Sequence, residues 1–347
     1  MIFLIGVLLL GASIYYPLRY LWELILVSDL HKKAVFITGC DTGFGRMLAL
    51  KCAKNGIPVF AGCFSDKGAE SLKTEAAGCK GKLETIPLDV TSDESVKRAA
   101  EMVEAKLSGD LKLWAVVNNA GLFSVYGPDD WTSLDEYKLS FDVNLLGYIR
   151  VTQAFKPLIK QSKGRFIGVT SIAGRLAIAA HGPYCTAKYA AEAYMDIIRQ
   201  ELRSFGVTVC ILEPGTFKTT LFNVDAQRQR VEQVWNKLTD EQRAEYGEEY
   251  KNNWVESRLG LIEKIGSART DYVVYNYYHA ITAQYPRLRY RCGWDSLLWF
   301  VPISYLPTEI LDWIQRSGLA EKILIWIQKK DSVTPPPSDE GSRIKQN

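Results

Sequence analysis

From Lys33 onward the chain alternates short apolar runs with stretches of helical periodicity. Ala34–Thr38 (AVFIT), Val59–Cys63, Leu83–Leu88, Ala115–Asn118, Arg165–Thr170 and Thr208–Glu213 predict six strands. Helices are predicted over Gly45–Asn55, over Ser92–Leu107 and over Tyr184–Phe205. Ser92 supplies an N-cap with Ser95 in the first turn, and Gly206 supplies a stop. Strands separated by helices pair in parallel, and helices then cover both faces of the sheet. Right-handed crossovers make the fold class α/β, a doubly wound parallel sheet.

The pattern changes at both ends. Residues 222–264 are charged, helical and free of strand signal, which reads as an insertion or substrate lid. Trp294–Leu306 (WDSLLWFVPISYL) is aromatic and apolar, so 294–330 forms an extension facing membrane or substrate, or packing within the fold. Residues 331–347, with Pro335, Pro336 and Pro337, read as a disordered tail. At the other end, Met1 to Tyr16 carries no charge, and the apolar run resumes after Arg19 and Glu23 as far as Val27. No Lys or Arg precedes the run, and Tyr15-Tyr16-Pro17 replaces a small-residue cleavage site. Tyr15, Tyr16, Tyr20 and Trp22 have the character of an interfacial belt. Residues 1–27 therefore read as an uncleaved membrane anchor in preference to a cleaved signal or a core helix. Arg19, Lys32 and Lys33 after the run place the main body in the cytosol.

Composition narrows the function classes. The 347 residues are 47% hydrophobic and 23% charged, which excludes wholesale disorder and a polytopic membrane protein. With 42 Lys and Arg against 39 Asp and Glu, the net charge is +3, and nothing electrostatic favours nucleic acid. The seven cysteines have no zinc-type spacing and read as free thiols. The three histidines form no ligand pair, so a metal-centred mechanism is not expected.

Two stretches carry candidate chemistry. After the first predicted strand comes Thr38-Gly39-Cys40-Asp41-Thr42-Gly43-Phe44-Gly45. Glycines at a strand-to-helix turn let backbone approach a pyrophosphate, and the following helix points its N–H groups at that anion. Tyr184 and Lys188 lie four residues apart on one helix face. A phenol, ordinarily titrating near ~10, becomes a general acid or base at neutral pH only if a cation stabilises its phenolate. Ser171 follows the fifth predicted strand, at the end where open α/β sheets bind ligands.

Together with Asn118-Asn119-Ala120-Gly121, Asn144 and Pro214-Gly215, these motifs resemble the short-chain dehydrogenase/reductases, a Rossmann-type family, over about residues 33–290. The segments Gly39–Gly45, Gly182-Pro-Tyr-Cys185, Glu213-Pro-Gly215 and Arg289-Tyr-Arg-Cys-Gly-Trp-Asp295 look like the membrane-associated retinol and 17-beta-hydroxysteroid dehydrogenase branch. The resemblance implies one catalytic domain over 32–293, with Asn144, Ser171, Tyr184 and Lys188 as catalytic residues. It implies a dinucleotide site of Thr38, Gly39, Asp41, Gly43, Phe44, Gly45, Asp89, Val90, Asn118, Ala120, Gly121, Tyr184, Lys188, Pro214, Gly215 and Thr219. In that scheme Tyr184 transfers the proton, Ser171 orients the substrate oxygen, and Asn144 holds a relay water.

The same resemblance implies a lipophilic alcohol as substrate, retinol or a hydroxysteroid, at the endoplasmic reticulum membrane, and a homodimer. A small hydroxy acid such as 3-hydroxybutyrate, a sugar-nucleotide epimerase and a catalytically silent dinucleotide-binding protein are the alternatives. One departure stands out: Ala61-Gly62-Cys63-Phe64 has neither the acidic residue that selects NAD nor the basic one that selects NADP. Branch relatives favour NAD over NADP.

Overall fold

The computed structural model describes residues 2–123 and 126–331, so the expected tail lies outside the described residues except for Asp331. Seven strands form one parallel sheet in the order β3-β2-β1-β4-β5-β6-β7. They are β1 (Lys33–Thr38), β2 (Val59–Cys63), β3 (Leu83–Pro87), β4 (Lys112–Asn118), β5 (Arg165–Val169), β6 (Thr208–Pro214) and β7 (Arg289–Cys292). The helices are α1 (Ile2–Glu23), α2 (Gly43–Lys54), α3 (Asp66–Glu75), α4 (Asp93–Glu104), α5 (Leu134–Phe141), α6 (Gly147–Ser162) and α7 (Gly182–Glu201). Beyond β6 come α8 (Val224–Trp235), α9 (Asp240–Tyr246), α10 (Glu248–Ile265), α11 (Thr270–Thr282), α12 (Val301–Ile303), α13 (Thr308–Arg316) and α14 (Leu319–Asp331).

Strand alternation explains the two cores. Val35 and Ile37 of β1 point to the face covered by α2, α3 and α11, whereas Ala34 and Phe36 point to α4, α6 and α7. Phe36 stacks on Phe155 of α6 with ring centroids 4.3 Å apart. Both are fully buried, so removing either ring would cost about 3–5 kcal/mol. Strand order reverses between β1 and β4, which opens a crevice at their carboxyl ends, where such sheets bind ligands.

The six predicted strands all form, and β7 is added. Its RYRC sequence reads as polar, yet alternation sends Tyr290 and Cys292 inward. Arg289 is held by Glu192, Asp196 and Glu213. Helices absent from the sequence reading have local reasons. α3 buries only Leu72, leaving little periodicity. α5 and α6 are joined by a π-turn over Asp142–Leu146 that shifts the buried face. α11 (TDYVVYNYYHAIT) is rich in the β-branched and aromatic residues of a strand.

At the amino terminus, α1 ends by docking on the start of β7. Glu23 pairs with Arg19 and Arg287, and Val27 N–H donates to the Thr282 carbonyl at 2.8 Å. The charges that interrupt the apolar run are thus its attachment to the domain. Among the described residues no helix is long and apolar enough to cross a membrane, so the expected spanning anchor is not seen as a span. At the other end, Trp299, Phe300 and Ile303 pack with Ile314, Leu324 and Ile327 against Ile172 and Leu176.

Candidate active site

The crevice is one cavity of about 1050 Å3, walled at one end by the glycine loop and at the other by the carboxyl-terminal helices. The glycine loop is set by backbone geometry. Gly39 has φ +70, and a Cβ there would lie 2.9 Å from Ala120 Cα. A Cβ on Gly45 would strike the Gly39 carbonyl. Only glycine allows this left-handed turn and this close approach. Thr38 braces the loop from behind: its hydroxyl accepts from Asn119 N–H at 2.9 Å and Ala120 N–H at 2.8 Å. The Asn119 amide donates to the Thr38 and Gly39 carbonyls and accepts from Tyr277 OH.

Gly39, Asp41, Gly43, Phe44, Asp89, Val90, Ala120, Gly121, Pro214, Gly215 and Thr219 line the cavity. Thr38, Gly45 and Asn118 stand behind its wall. Asn118, expected to support the loop beside the ribose, is buried and donates to Thr152 of α6 at 3.0 Å. Its neighbour Asn119 lines the cavity instead. Asp89 accepts from the Thr91 amide and hydroxyl, which fixes its loop. Across the opening, Thr220 donates to the Thr42 hydroxyl at 2.8 Å, so the loop after β6 reaches over the glycine loop.

Midway along the cavity the four expected catalytic side chains come together. Pro183 near the start of α7 fits the first helical turn and aims Tyr184 inward, with Lys188 one turn on. Lys188 is 3% exposed; its ammonium donates to the Val169 carbonyl at 3.0 Å and lies 5.8 Å from the Tyr184 ring centre. Ser171 lies beside Tyr184 at the end of β5. Burial pushes the Tyr184 phenol up to about 12, and the Ser171 hydroxyl acts in the opposite direction. Burial also pushes the Lys188 amine down to about 7, against the pull of Glu192. Asn144 sits in the π-turn, where its carbonyl oxygen accepts from Leu122 N–H and its amide donates to the Leu122 carbonyl. A Cβ on Gly121 would lie 3.1 Å from Asn144 and 3.7 Å from Lys188 Nζ, so both groups border the same small space.

Tyr148 is a neighbour the motifs do not mark. It is buried, donates to the Val169 carbonyl, and accepts from Lys188 Nζ at 3.5 Å. Only its place on the buried face of α6 could have pointed to it.

Beyond Tyr184 the lining turns apolar. Phe123, Leu176, Ile178, Phe222, Leu261, Ile262, Trp299, Phe300 and Leu324 dominate it, with Arg258, Gln315, Arg316 and Glu321 also reaching the lining. The Phe123 ring meets Tyr184 edge-on at 4.9 Å and Phe222 at 4.5 Å. The glycine floor is shaped to admit a pyrophosphate. The Thr219 hydroxyl above it is buried without a partner among the described residues, a donor and acceptor left over for a ligand. The residues present therefore fit a dinucleotide.

Comparison with known proteins agrees. The short chain dehydrogenase family model matches residues 33–230. The chain is 49% identical over 286 residues to the 3beta-hydroxysteroid dehydrogenase dhs-16 of Caenorhabditis elegans, covering 81% of this chain and 74% of that protein. It is 41% identical over 298 residues to retinol dehydrogenase 16 of Rattus norvegicus, covering 85% and 91%. A solved short chain dehydrogenase/reductase from Burkholderia phymatum in complex with NAD shares the fold, with TM-score 0.63 at 23% identity over 78% of this chain and 92% of that one.

Proposed function

The chain belongs to the short-chain dehydrogenase family of NAD(P)-dependent oxidoreductases, and from that premise we propose that it interconverts a lipophilic alcohol, a hydroxysteroid or retinol, with its carbonyl. The observation that carries the reading is the join in the cavity. Tyr184, Ser171 and Lys188 stand where the glycine-floored end meets an end lined by aliphatic and aromatic side chains.

The cofactor would lie over Gly39, Gly43, Gly121 and Pro214 to Thr219, and its nicotinamide ring would supply the hydride acceptor or donor. Tyr184 exchanges the proton with the substrate oxygen, which Ser171 holds by a hydrogen bond. In the reducing direction the raised phenol is already protonated and acts as the acid. In the oxidising direction the phenolate forms beside the Lys188 cation. With its amine lowered to about 7, Lys188 can release one of its own protons toward the space bordered by Asn144 and take up the one that Tyr184 gives, returning to the cation.

The preferred cofactor in this reading is NAD. The end of β2 carries no acidic residue, but Asp41 reaches it from the glycine loop. Its carboxylate accepts from Phe64 N–H and Ser65 N–H, each at 2.8 Å, and from the Ser65 hydroxyl. A 2′-phosphate would meet this negative charge, and of the residues lining that end none is Lys or Arg.

The lid reading of 222–264 draws support from α10, whose Ser257, Arg258, Leu261 and Ile262 line the cavity. A small hydroxy acid is the second reading, favoured by Arg258 and Arg316, which also line the cavity. The family's helix-paired homodimer would use the exposed Leu139 of α5 and Leu146 of the π-turn before α6; a monomer in analytical ultracentrifugation would remove it.

Attachment to the endoplasmic reticulum membrane is supported by exposed Leu18, Leu21 and Trp22 on α1 and by exposed Leu298, Tyr305 and Trp313 in the extension. The catalytic domain would face the cytosol. Microsomal protein released by alkaline carbonate would refute the anchor; retention until detergent is added is the expected result.

For the chemistry, Tyr184→Phe tests the reading. Turnover should fall by about 10²–10⁴-fold while dinucleotide affinity stays within about twofold. Unchanged turnover would sink the mechanism.

A further inference from the structure

The loop that would flank the nicotinamide, Pro214 to Thr219, is held mainly by residues far along the chain. On one side, the Ser267 N–H donates to the Thr216 carbonyl and the Lys218 N–H donates to the Ser267 carbonyl, each at 2.8 Å. On the other side stands Asp295. Its carboxylate accepts from the Thr216 N–H at 2.7 Å and from the Ser296 N–H at 2.8 Å. The approach is so close that a Cβ on Gly215 would strike the Asp295 carboxylate. The Gly215 N–H donates to the Cys292 carbonyl at 2.8 Å, and the Ser296 hydroxyl donates to the Glu213 carbonyl at 3.0 Å. One turn past Ser296, Trp299 and Phe300 line the apolar end of the cavity.

Resting on the functional reading above, we propose that Asp295 is a positioning residue. It holds the Pro214–Thr219 loop in its cofactor-binding shape and ties that shape to the helical turn lining the substrate end. An Asn here keeps one acceptor oxygen but sets an NH2 donor where the other oxygen accepts, so one of the Thr216 and Ser296 N–H groups loses its partner and the loop relaxes into the cavity.

The carboxylate is costly to keep charged. Burial pushes Asp295 up to about 6, and Asp331 at the end of α14 pushes the same way. Cys292 on β7 and Glu213 on β6 are the other titratable groups near it. Among the described residues no salt bridge reaches Asp295. A carboxyl whose folded pKa lies above its ordinary value takes up protons more readily folded than unfolded, so its ionisation detracts from stability as pH rises to about 6. Stability gives no reason for an ionised group here, whereas the Thr216 N–H of the cofactor loop and the Ser296 N–H of the adjoining turn, both accepted by this carboxylate, do.

The test is NADH binding to the full chain in detergent, followed by nicotinamide fluorescence, for the parent and Asp295→Asn. The expected result is a Kd for NADH raised about tenfold or more in Asp295→Asn, with the melting temperature kept or raised. In the parent, affinity should weaken as pH falls through about 6, and the variant should lack that limb. A Kd within about twofold of the parent with the same acid limb overturns the proposal, as does weakening that merely tracks a lower melting temperature. Should Asp295→Asn fail to fold, a parent affinity that is flat through pH 6 overturns it unaided. A parent that binds no NADH would instead bring down the functional reading.

Discussion

The two ends of the cavity are built by different means. At the glycine-floored end the shape comes from backbone: left-handed Gly39, the close approach at Gly45, and the carbonyls and amides tied down by Thr38 and Asn119. At the far end the shape comes from side chains delivered by α10, the extension and α14, none of which belongs to the sheet. A backbone-built site tolerates few residues at fixed spacing, so it leaves a motif. A side-chain-built site needs only apolar bulk, which many sequences supply. The join between the two ends is where Tyr184 and Lys188 stand.

Three substitutions sharpen that contrast. The largest effect is expected at the join. Lys188→Met should lower turnover about 10²–10⁴-fold. It should also stabilise the fold, because the parent keeps a buried amine whose folded pKa, about 7, lies below its unfolded one. The unfolded chain then binds more protons between those values, so parent stability rises with pH from about 7 toward 10.5. The melting-temperature gain of Lys188→Met should therefore be greatest below pH 7 and shrink above it; a loss at every pH contradicts the account.

Next comes the apolar end. Trp299→Ala should raise KM for a lipophilic alcohol about tenfold and leave KM for NAD within about twofold. Equal changes in both would mean that the two ends are not separable. The smallest effect is expected at Asp41, which is partly exposed to solvent. Asp41→Ser should shift the NAD over NADP preference by about fivefold toward NADP. No shift would show that cofactor choice lies elsewhere.

The contrast also explains what the sequence made legible. Five of the six strands could be read because they are buried along nearly their whole length and are mostly apolar, whereas β3 at the sheet edge buries only Ile86. The glycine loop and the Tyr184–Lys188 spacing could be read because the chemistry demands those residues. Strand β7 could not, since two of its four residues are arginines: Arg291 is exposed, and the partners of Arg289, Glu192, Asp196 and Glu213, are remote in sequence. The two adjacent asparagines look alike in sequence; the end of β4 turns Asn118 onto α6 and Asn119 to the glycine loop. Asp295 was visible only as part of a family-like segment, because its partner Thr216 lies 79 residues away. Residues 294–306 were ambiguous between membrane and interior, and the segment divides: Trp299 and Phe300 face inward while Leu298 and Tyr305 are exposed.

The central claim is that the apolar end selects a lipophilic alcohol. Its most direct test is the formation of reduced nicotinamide by the full chain in microsomes, with NAD and either a 3beta-hydroxysteroid, retinol or 3-hydroxybutyrate. The account predicts kcat/KM for the steroid or retinol at least about 100-fold above that for 3-hydroxybutyrate, from the extra apolar surface buried. Equal or better turnover of 3-hydroxybutyrate would contradict it.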